Sequence, residues 1–331
     1  MESIATIKLT DRFALMDNWL KKTCQLENIQ LAAMTPDASF RRYYRITQTE
    51  QTYVLMDAPP PEKSCSSFIL IANCLRAHGL HAPNVYYAQL DAGFLLLSDL
   101  GDATYIKTLD GNNADELYRR ALNALVKMAN INFELPKFSA ELMYDEWQAH
   151  KEWFLGKYLQ IDYSAEETAL NHCMELIIQS AIDQTQVFMH RDYHSANLMM
   201  LKNDVGILDF QDAFIGPITY DVVSLLRDCY IAWPAEKVTQ WLSYYYQLLK
   251  AGKIMDADLQ TFTRWFDLMG LQRHIKALLT FARKKVRDNH PQYLKHIPRT
   301  LNYITTVSEK YPEFADLHQF YQEKVVRLCA Q

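Results

Sequence analysis

The sequence predicts an α+β chain of two lobes, a small β-rich one followed by a larger, mostly helical one. Three observations carry this. Short aromatic and β-branched runs crowd the first third of the chain, long amphipathic stretches dominate from residue 113 onward, and one strand-like segment, residues 188–217, interrupts the helical half. The division is expected at residue 98, giving lobes 1–98 and 99–331, and two such lobes would leave a cleft suited to a ligand.

In order along the chain, "RRYYRIT" and "TYVLMDA" are strand-like runs separated by polar "QTEQ", the pattern of a hairpin. After "PPPEKS", the residues Phe68, Ile71, Ala72 and Leu75 recur at helical spacing, with Ser64 as a cap and Gly79 as a stop. "GFLLL" then forms a further strand ending at "SDLGD". Helices are expected at "ADELYRRALNALVKMAN", "AEETALNHCMELIIQSAI", "AEKVTQWLSYYYQLLKAG" and "MGLQRHIKALLTFARKKV", each apolar along one face.

Composition excludes several classes of function. The 331 residues carry 34 basic and 39 acidic side chains, a formal net charge of -5, which offers no general attraction to nucleic acid or to an anionic membrane. Neither a secretory leader nor an apolar run long enough to span a bilayer is evident, so a cytoplasmic protein without an obligate protein partner is expected. The six scattered cysteines lack the paired spacing of a zinc or redox motif and are expected reduced and mostly buried.

The chemistry concentrates in "FMHRDYHSANLMMLKNDVGILDFQDAFIGP", where Asp192, Asn197 and Asp209 stand inside apolar runs. With Lys202, Asn203 and Asp204 as the turn of a hairpin, Leu201 would face Val205 and, four pairs out, Asn197 would face Asp209. An amide and a carboxylate so paired suit a hard cation such as Mg²⁺, which takes few oxygen ligands from protein and the rest from phosphates and water. Asp192, just before Asn197, would orient a hydroxyl and accept its proton. Singly, each is an ordinary turn-capping residue. The ordered set follows the kinase pattern of catalytic Asp, metal-binding Asn and metal-binding Asp.

"HRDYHSANLM" followed by "ILDFQDAFIGP" resembles the catalytic loop and metal strand of the protein-kinase-like superfamily, and more closely its aminoglycoside phosphotransferase branch. That resemblance implies a bilobal protein-kinase-like fold, ATP and Mg²⁺ as cofactors, Asp192 as catalytic base, and Asn197 and Asp209 as metal ligands. His190 and Asp221 would brace the loop. Protein kinases usually carry a lysine two residues after the catalytic aspartate. Here that position is His194, which would touch phosphate or pack beneath the loop.

Two departures are expected to matter. The strand lysine and helix glutamate that hold ATP phosphates in protein kinases are both missing, with Met56 and Asp57 at the lysine's place and no glutamate in "SCSSFILIANCLRAH". The replacement cation is sought at Arg41, Arg42 and Arg45, behind a glycine-free turn containing Ser39. Strand alternation sets Arg42 on the face opposite Arg41 and Arg45. Adenine would pair with backbone groups from Leu97 through Asp99 to Leu100.

The blocks "DASFRRYYR", "YVLMDAPPP", "GFLLLSDLGDATY" and "GLQRHIKALLTFARKKVRDNHPQYLKHIP" are similar to one subgroup, the N-acetylmuramate/N-acetylglucosamine anomeric kinases of bacterial cell-wall recycling. The resemblance implies a small amino-sugar substrate lying against the helical lobe. Asp212, Glu146, Trp153 and His194 are candidate substrate contacts, and Arg273 with His274 would meet a lactyl carboxylate or stand on a solvated helix face. An antibiotic kinase, drawn by the acidic residues Asp145, Glu146 and Glu152, and a nucleotide-binding pseudokinase are the alternatives.

Overall fold

The computed structural model describes residues 9–34, 41–60 and 65–329. The chain divides into two compact units, Met1–Asp102 with Gly206–Gln211, and Ala103–Val205 with Asp212–Gln331. The division therefore falls after Asp102 rather than after residue 98, and a short piece containing Asp209 joins the first unit.

Unit 1 opens with a helix the sequence reading did not foresee, α1 (Leu9–Lys22). Strands β1 (Gln30–Ala33), β2 (Arg42–Gln48) and β3 (Gln51–Asp57) follow, then α2 (Cys65–Ala77), β4 (Val85–Gln89) and β5 (Phe94–Ser98). They form one antiparallel sheet in the order β1-β2-β3-β5-β4. The expected β2–β3 hairpin is present and tight, with Gln48 paired to Gln51 and Thr49 turning the chain at a φ of 56°. Alternation puts Tyr44, Ile46 and Leu55 on one face, where they form a core with Phe94, Leu96 and the α1 residues Met16, Trp19 and Leu20. The cap expected at Ser64 lies outside the described residues.

Unit 2 contains α3 (Tyr105–Thr108), α4 (Ala114–Ala129) and α5 (Ala140–His150), the last running on into a π-helical stretch, Lys151–Tyr158. Then come α6 (Glu167–Ile182), β6 (Gln186–Met189), β7 (Leu198–Met200), β8 (Val205–Ile207), which the unit boundary crosses, and β9 (Phe214–Pro217). Helices α7 (Tyr220–Leu226), α8 (Ala235–Ala251), α9 (Leu259–Val286) and α10 (Ile297–Glu309) complete the part that positions the site. Strands β6 and β9 pair antiparallel, Gln186 with Pro217 through Met189 with Phe214.

Helix α9 begins ten residues before the expected start at Met269, capped by the Asp258 side chain on the Thr261 N–H at 2.7 Å. It packs against α5, α6, α7 and α10 and so buries residues on every side. Its interior Gly270 has a packing reason: a Cβ there would stand 3.1 Å from the Arg227 guanidinium, which passes over it to Asp267.

The turn after β7 spans Lys202, Asn203 and Asp204 as expected, with Leu201 N–H bonding Asp204 O across it at 3.2 Å, but the expected facing of Asn197 and Asp209 is corrected. The strands stop at Leu198 and Ile207, and neither Asn197 nor Asp209 lies in the ladder. All six cysteines are unpaired and five are buried. Among the described residues no helix is long and apolar enough to cross a membrane.

Candidate active site

Strand β6 delivers the chain to a loop held from below by one carboxylate. Asp221, in the first turn of α7, accepts the His190 N–H at 2.6 Å and the Arg191 N–H at 2.9 Å. Burial pushes its own carboxyl up to about 7 in spite of those two bonds. Between them the chain turns sharply: Arg191 has a φ of 78°, a region that costs a non-glycine residue energy and persists only where neighbours hold it. The holder at the side-chain end is Glu146 of α5, whose Oε1 accepts from Arg191 Nη2 at 2.8 Å, while Arg191 Cζ lies 5.0 Å from the Phe214 ring centre. His190 is fully buried, and its Nδ1 accepts the Asp192 N–H at 3.2 Å.

The rest of the loop is tied down as firmly. Tyr193 is buried and donates its hydroxyl to Ala121 O at 2.9 Å. Ser195 gives both its N–H (2.9 Å) and its hydroxyl (2.5 Å) to the buried Asp228. His194 meets the Tyr230 ring edge-on at 5.2 Å. Asn197 Nδ2 donates to Asp192 O at 3.0 Å, which fixes the orientation of the amide and of its oxygen.

Against this background the Asp192 carboxylate stands out. Its side chain is 36% exposed and accepts no hydrogen bond among the described residues; the nearest cation is Lys276 Nζ, 3.6 Å from Oδ1. Burial works against its ionisation, and the positive charges of Lys276 and Arg273 outweigh it, holding the carboxyl below the usual range. Lys276 is likewise kept protonated: burial lowers its affinity for the proton, and Asp192, Tyr220 and Glu146 more than restore it.

Lys276 was not among the residues anticipated, although its signal was present in "LQRHIK". Gln272, Arg273 and Lys276 are three and four residues apart, the spacing of one helix face. Gln272 donates to Glu146 Oε2 at 2.7 Å, Arg273 donates to Ser224 Oγ and lies 3.6 Å from Cys229 Sγ, and Lys276 faces Asp192. Arg273 is thus buried, not on a solvated face, and Asp192 and Asp228 are among the charges that raise its affinity for the proton against burial. His274 is buried too, with Nε2 against Arg227 O at 2.9 Å and its ring stacked on Tyr303. Glu146 spends one oxygen on Arg191 and the other on Gln272. Trp153 sits on the π-helical stretch with the Lys157 ammonium 3.7 Å from its ring centre and Arg283 at 5.3 Å, and Asp212 opens the second part of unit 2, half-buried.

In unit 1 the place of the missing strand lysine is filled by a pair of inverted sign. Asp57, with 2% of its side chain exposed, accepts from Arg12 of α1 at 2.7 Å and pairs with Arg42 at 2.7 Å, its direct partner across β2–β3. Arg42 is therefore engaged on the face that α1 covers. Arg45 is engaged as well, by Asp99 at 2.6 Å and Asp102 at 2.6 Å. Arg41, just before β2, is buried, and its charge acts on the Cys65 thiol at the start of α2. Ser39 lies outside the described residues. Leu97 is paired on both sides, with Val54 and Val85, whereas the main chain of Leu100 makes no hydrogen bond among the described residues. Asp209 is exposed at a φ of 60°, its Oδ1 accepting from Gln211 at 2.7 Å, next to a buried Phe210 packed on Phe68.

Residues 31–253 match the sequence profile of the phosphotransferase enzyme family. The chain belongs to that family. A Pseudomonas putida protein named N-acetylmuramate/N-acetylglucosamine kinase is 39% identical over 297 residues, 88% of either chain. A Neisseria meningitidis protein of the same name is 35% identical over 319 residues, covering 94% of this chain and 95% of that one. Among solved structures, the aminoglycoside phosphotransferase APH(2'')-Ib with ADP bound aligns at a TM-score of 0.61 and 17% identity, over 88% of this chain and 97% of that one. The choline kinase LicA from Streptococcus pneumoniae aligns at 0.65 and 12% identity, over 88% and 99%. These two likenesses speak for the fold, which is the α+β protein-kinase-like one expected from the sequence.

The protein is thus a phosphotransferase of the kinase type. Such an enzyme needs little covalent chemistry of its own and works by positioning and charge neutralisation. Asp192 offers an ionised, accessible carboxylate, and Lys276 a cation beside it.

Proposed function

We propose that the protein transfers the γ-phosphoryl group of ATP to the anomeric hydroxyl of N-acetylmuramate or N-acetylglucosamine, giving the sugar 1-phosphate for cell-wall recycling. The observation that carries the reading is Asp192: an ionised carboxylate, part exposed, on an immobilised loop, with no hydrogen bond of its own to satisfy. An anomeric hydroxyl is more acidic than an ordinary alcohol, so Asp192 has mainly to orient it and to take its proton late. The names of the two relatives described above, similar over most of the chain, support the sugar.

Mg²⁺ fits the donors available. Asn197 and Asp209 supply an amide and a carboxylate oxygen, the hard donors that suit an ion which leaves most of its shell to phosphate and water. Bound by those two residues, it would supply positive charge to the ATP phosphates. Adenine is assigned to the main chain of Asp99 and Leu100, and Arg41, buried just before β2, is assigned to the phosphates by the resemblance to the family. Arg42 and Arg45 are spent on carboxylates.

Two of the three acidic residues that drew the antibiotic-kinase reading are engaged elsewhere, Glu146 by Arg191 and Gln272 and Glu152 by Lys157 at 2.5 Å, while Asp145 is exposed. The test is phosphorus NMR of the protein with MgATP and, in parallel, N-acetylmuramate, N-acetylglucosamine or kanamycin. A signal coupled to the anomeric proton is expected with a sugar, and Asp192→Asn should lower turnover by about 10²–10⁴. Kanamycin phosphate alone, or an Asp192→Asn variant as fast as wild type, would refute the reading.

A further inference from the structure

We propose that Lys276 is a catalytic residue, its ammonium contacting the phosphoryl group during transfer to the hydroxyl held by Asp192. The inference rests on the function proposed above. In that reaction the bond from the acceptor oxygen to the γ-phosphorus forms as the bond from that phosphorus to the β–γ bridging oxygen breaks. ADP leaves with the electron pair, and the hydroxyl proton passes to Asp192. Negative charge stays spread over the phosphoryl oxygens throughout, and fixed cations aimed at it are the main means of lowering the barrier.

Three side-chain cations stand around Asp192, and two are already committed. Arg191 is bound to Glu146 at 2.8 Å and holds the loop. Arg273 is 7% exposed and occupied by Ser224 and Cys229. Lys276, with 20% of its side chain exposed, has Asp192 as its one ion-pair partner within 4 Å among the described residues, and its ammonium makes no hydrogen bond there. The 3.6 Å separation exceeds the roughly 2.7–2.9 Å of a charge-assisted hydrogen bond. The ammonium is near the base without being consumed by it.

Its position is prepared. One turn earlier on α9, Gln272 and Arg273 are fixed to Glu146 and Ser224, so the backbone that carries Lys276 is anchored to the elements that hold the loop. A hydroxyl bound to Asp192 lies about 2.7 Å from a carboxylate oxygen, and the phosphorus it attacks about 3–3.5 Å beyond. An ammonium 3.6 Å from Oδ1 therefore reaches the phosphoryl oxygens by rotation of its own stem. Protein kinases carry a lysine two residues after the catalytic aspartate; here that residue is His194, and α9 brings a lysine to the same carboxylate from a distant part of the chain. Recognition of the lactyl carboxylate of N-acetylmuramate fits less well. That group hangs from C3, whereas a cation beside the base stands at the C1 end of the sugar.

The test uses the full chain with Lys276→Met and Lys276→Arg. For Lys276→Met, kcat is expected to fall by about 10²–10³, with the KM of either sugar and the affinity for MgADP nearly unchanged, and Lys276→Arg should recover part of the loss. A second readout needs no turnover. Aluminium fluoride, a mimic of the planar group in flight, should tighten MgADP binding to the wild type and to Lys276→Arg but not to Lys276→Met. A rise in KM for N-acetylmuramate alone would make Lys276 a carboxylate reader, and equal fluoride tightening in all three proteins, or loss of MgADP binding in Lys276→Met, would also overturn the proposal. If the wild type phosphorylates neither sugar, the functional reading falls while the fluoride measurement still decides the place of Lys276.

Discussion

Substitution of Asp57 probes how this chain manages without the strand lysine. Asp57→Asn keeps the shape and removes the charge, leaving two guanidinium groups facing an amide with one acceptor oxygen and no charge to neutralise either. The cost divides unequally. Arg42 is 33% exposed and can turn into water, so its lost pairing is worth about 1 kcal/mol after screening. Arg12 cannot escape: with 7% of its side chain exposed, it is held by Ala92 O at 2.7 Å and lies 4.6 Å from the Phe94 ring centre. Breaking a buried pair on one side typically costs about 3–5 kcal/mol, and that sum is expected here. Replacing all three, Arg12→Met with Arg42→Met and Asp57→Leu, should return most of it, because no buried charge then lacks a partner. The assay is urea unfolding of fluorotryptophan-labelled protein by fluorine NMR, in which Trp19 is the one tryptophan of unit 1. An Asp57→Asn cost below about 1 kcal/mol, or a triple variant no more stable than the single one, would refute the claim that this cluster is a buried ion pair with Arg12 as its trapped member.

Acid should destabilise unit 2 through two histidines. Burial pushes His150 and His274 down to about 3, with Arg273 adding to the effect at His274. The unfolded chain therefore takes up two protons as pH falls below about 6.5 that the folded one refuses, and stability should drop by about 1.4 kcal/mol per pH unit for each. Denaturant titrations between pH 7.5 and 5 check this as roughly flanking that onset, and His150→Gln should halve the slope. Asp221 works in the opposite direction: its raised carboxyl keeps a proton up to about 7 that the unfolded state gives up near 3.8, so its contribution is lost as pH rises through that window. Asp221→Asn should remove that share of the pH dependence. Glu146→Ala is expected to lower kcat, by releasing Arg191 from its unfavourable φ, while leaving the KM of the sugar unchanged; a raised KM with normal kcat would return Glu146 to the substrate. Arg45→Met should weaken MgADP binding without lowering kcat at saturating ATP, since it frees Asp99 beside the main chain of Leu100, and calorimetry with MgADP reads it directly.

What the sequence made legible and what it hid differ by the range of the interactions involved. The loop from His190 to Asn197 could be read because its chemistry is contiguous, and the β2–β3 hairpin because alternation and a polar break are local signals. Helix α1 carried its own signal, Met16, Trp19 and Leu20 at helical spacing, but its Arg12 acquires meaning only against Asp57, 45 residues away. The same holds for Lys276 and Asp192, Gln272 and Glu146, and Ser195 and Asp228. Each joins a polar residue that composition alone assigns to solvent with a partner that only folding supplies. The pairing of Asn197 with Asp209 failed for a related reason: β7 and β8 are short and stop at Leu198 and Ile207, before either residue is reached. The positions of Asp192, Asn197 and Asp209 do not depend on that ladder: the first two are placed by side-chain bonds from Asp221, Asp228 and the loop's own backbone, and the third lies in a left-handed turn beside a buried Phe210.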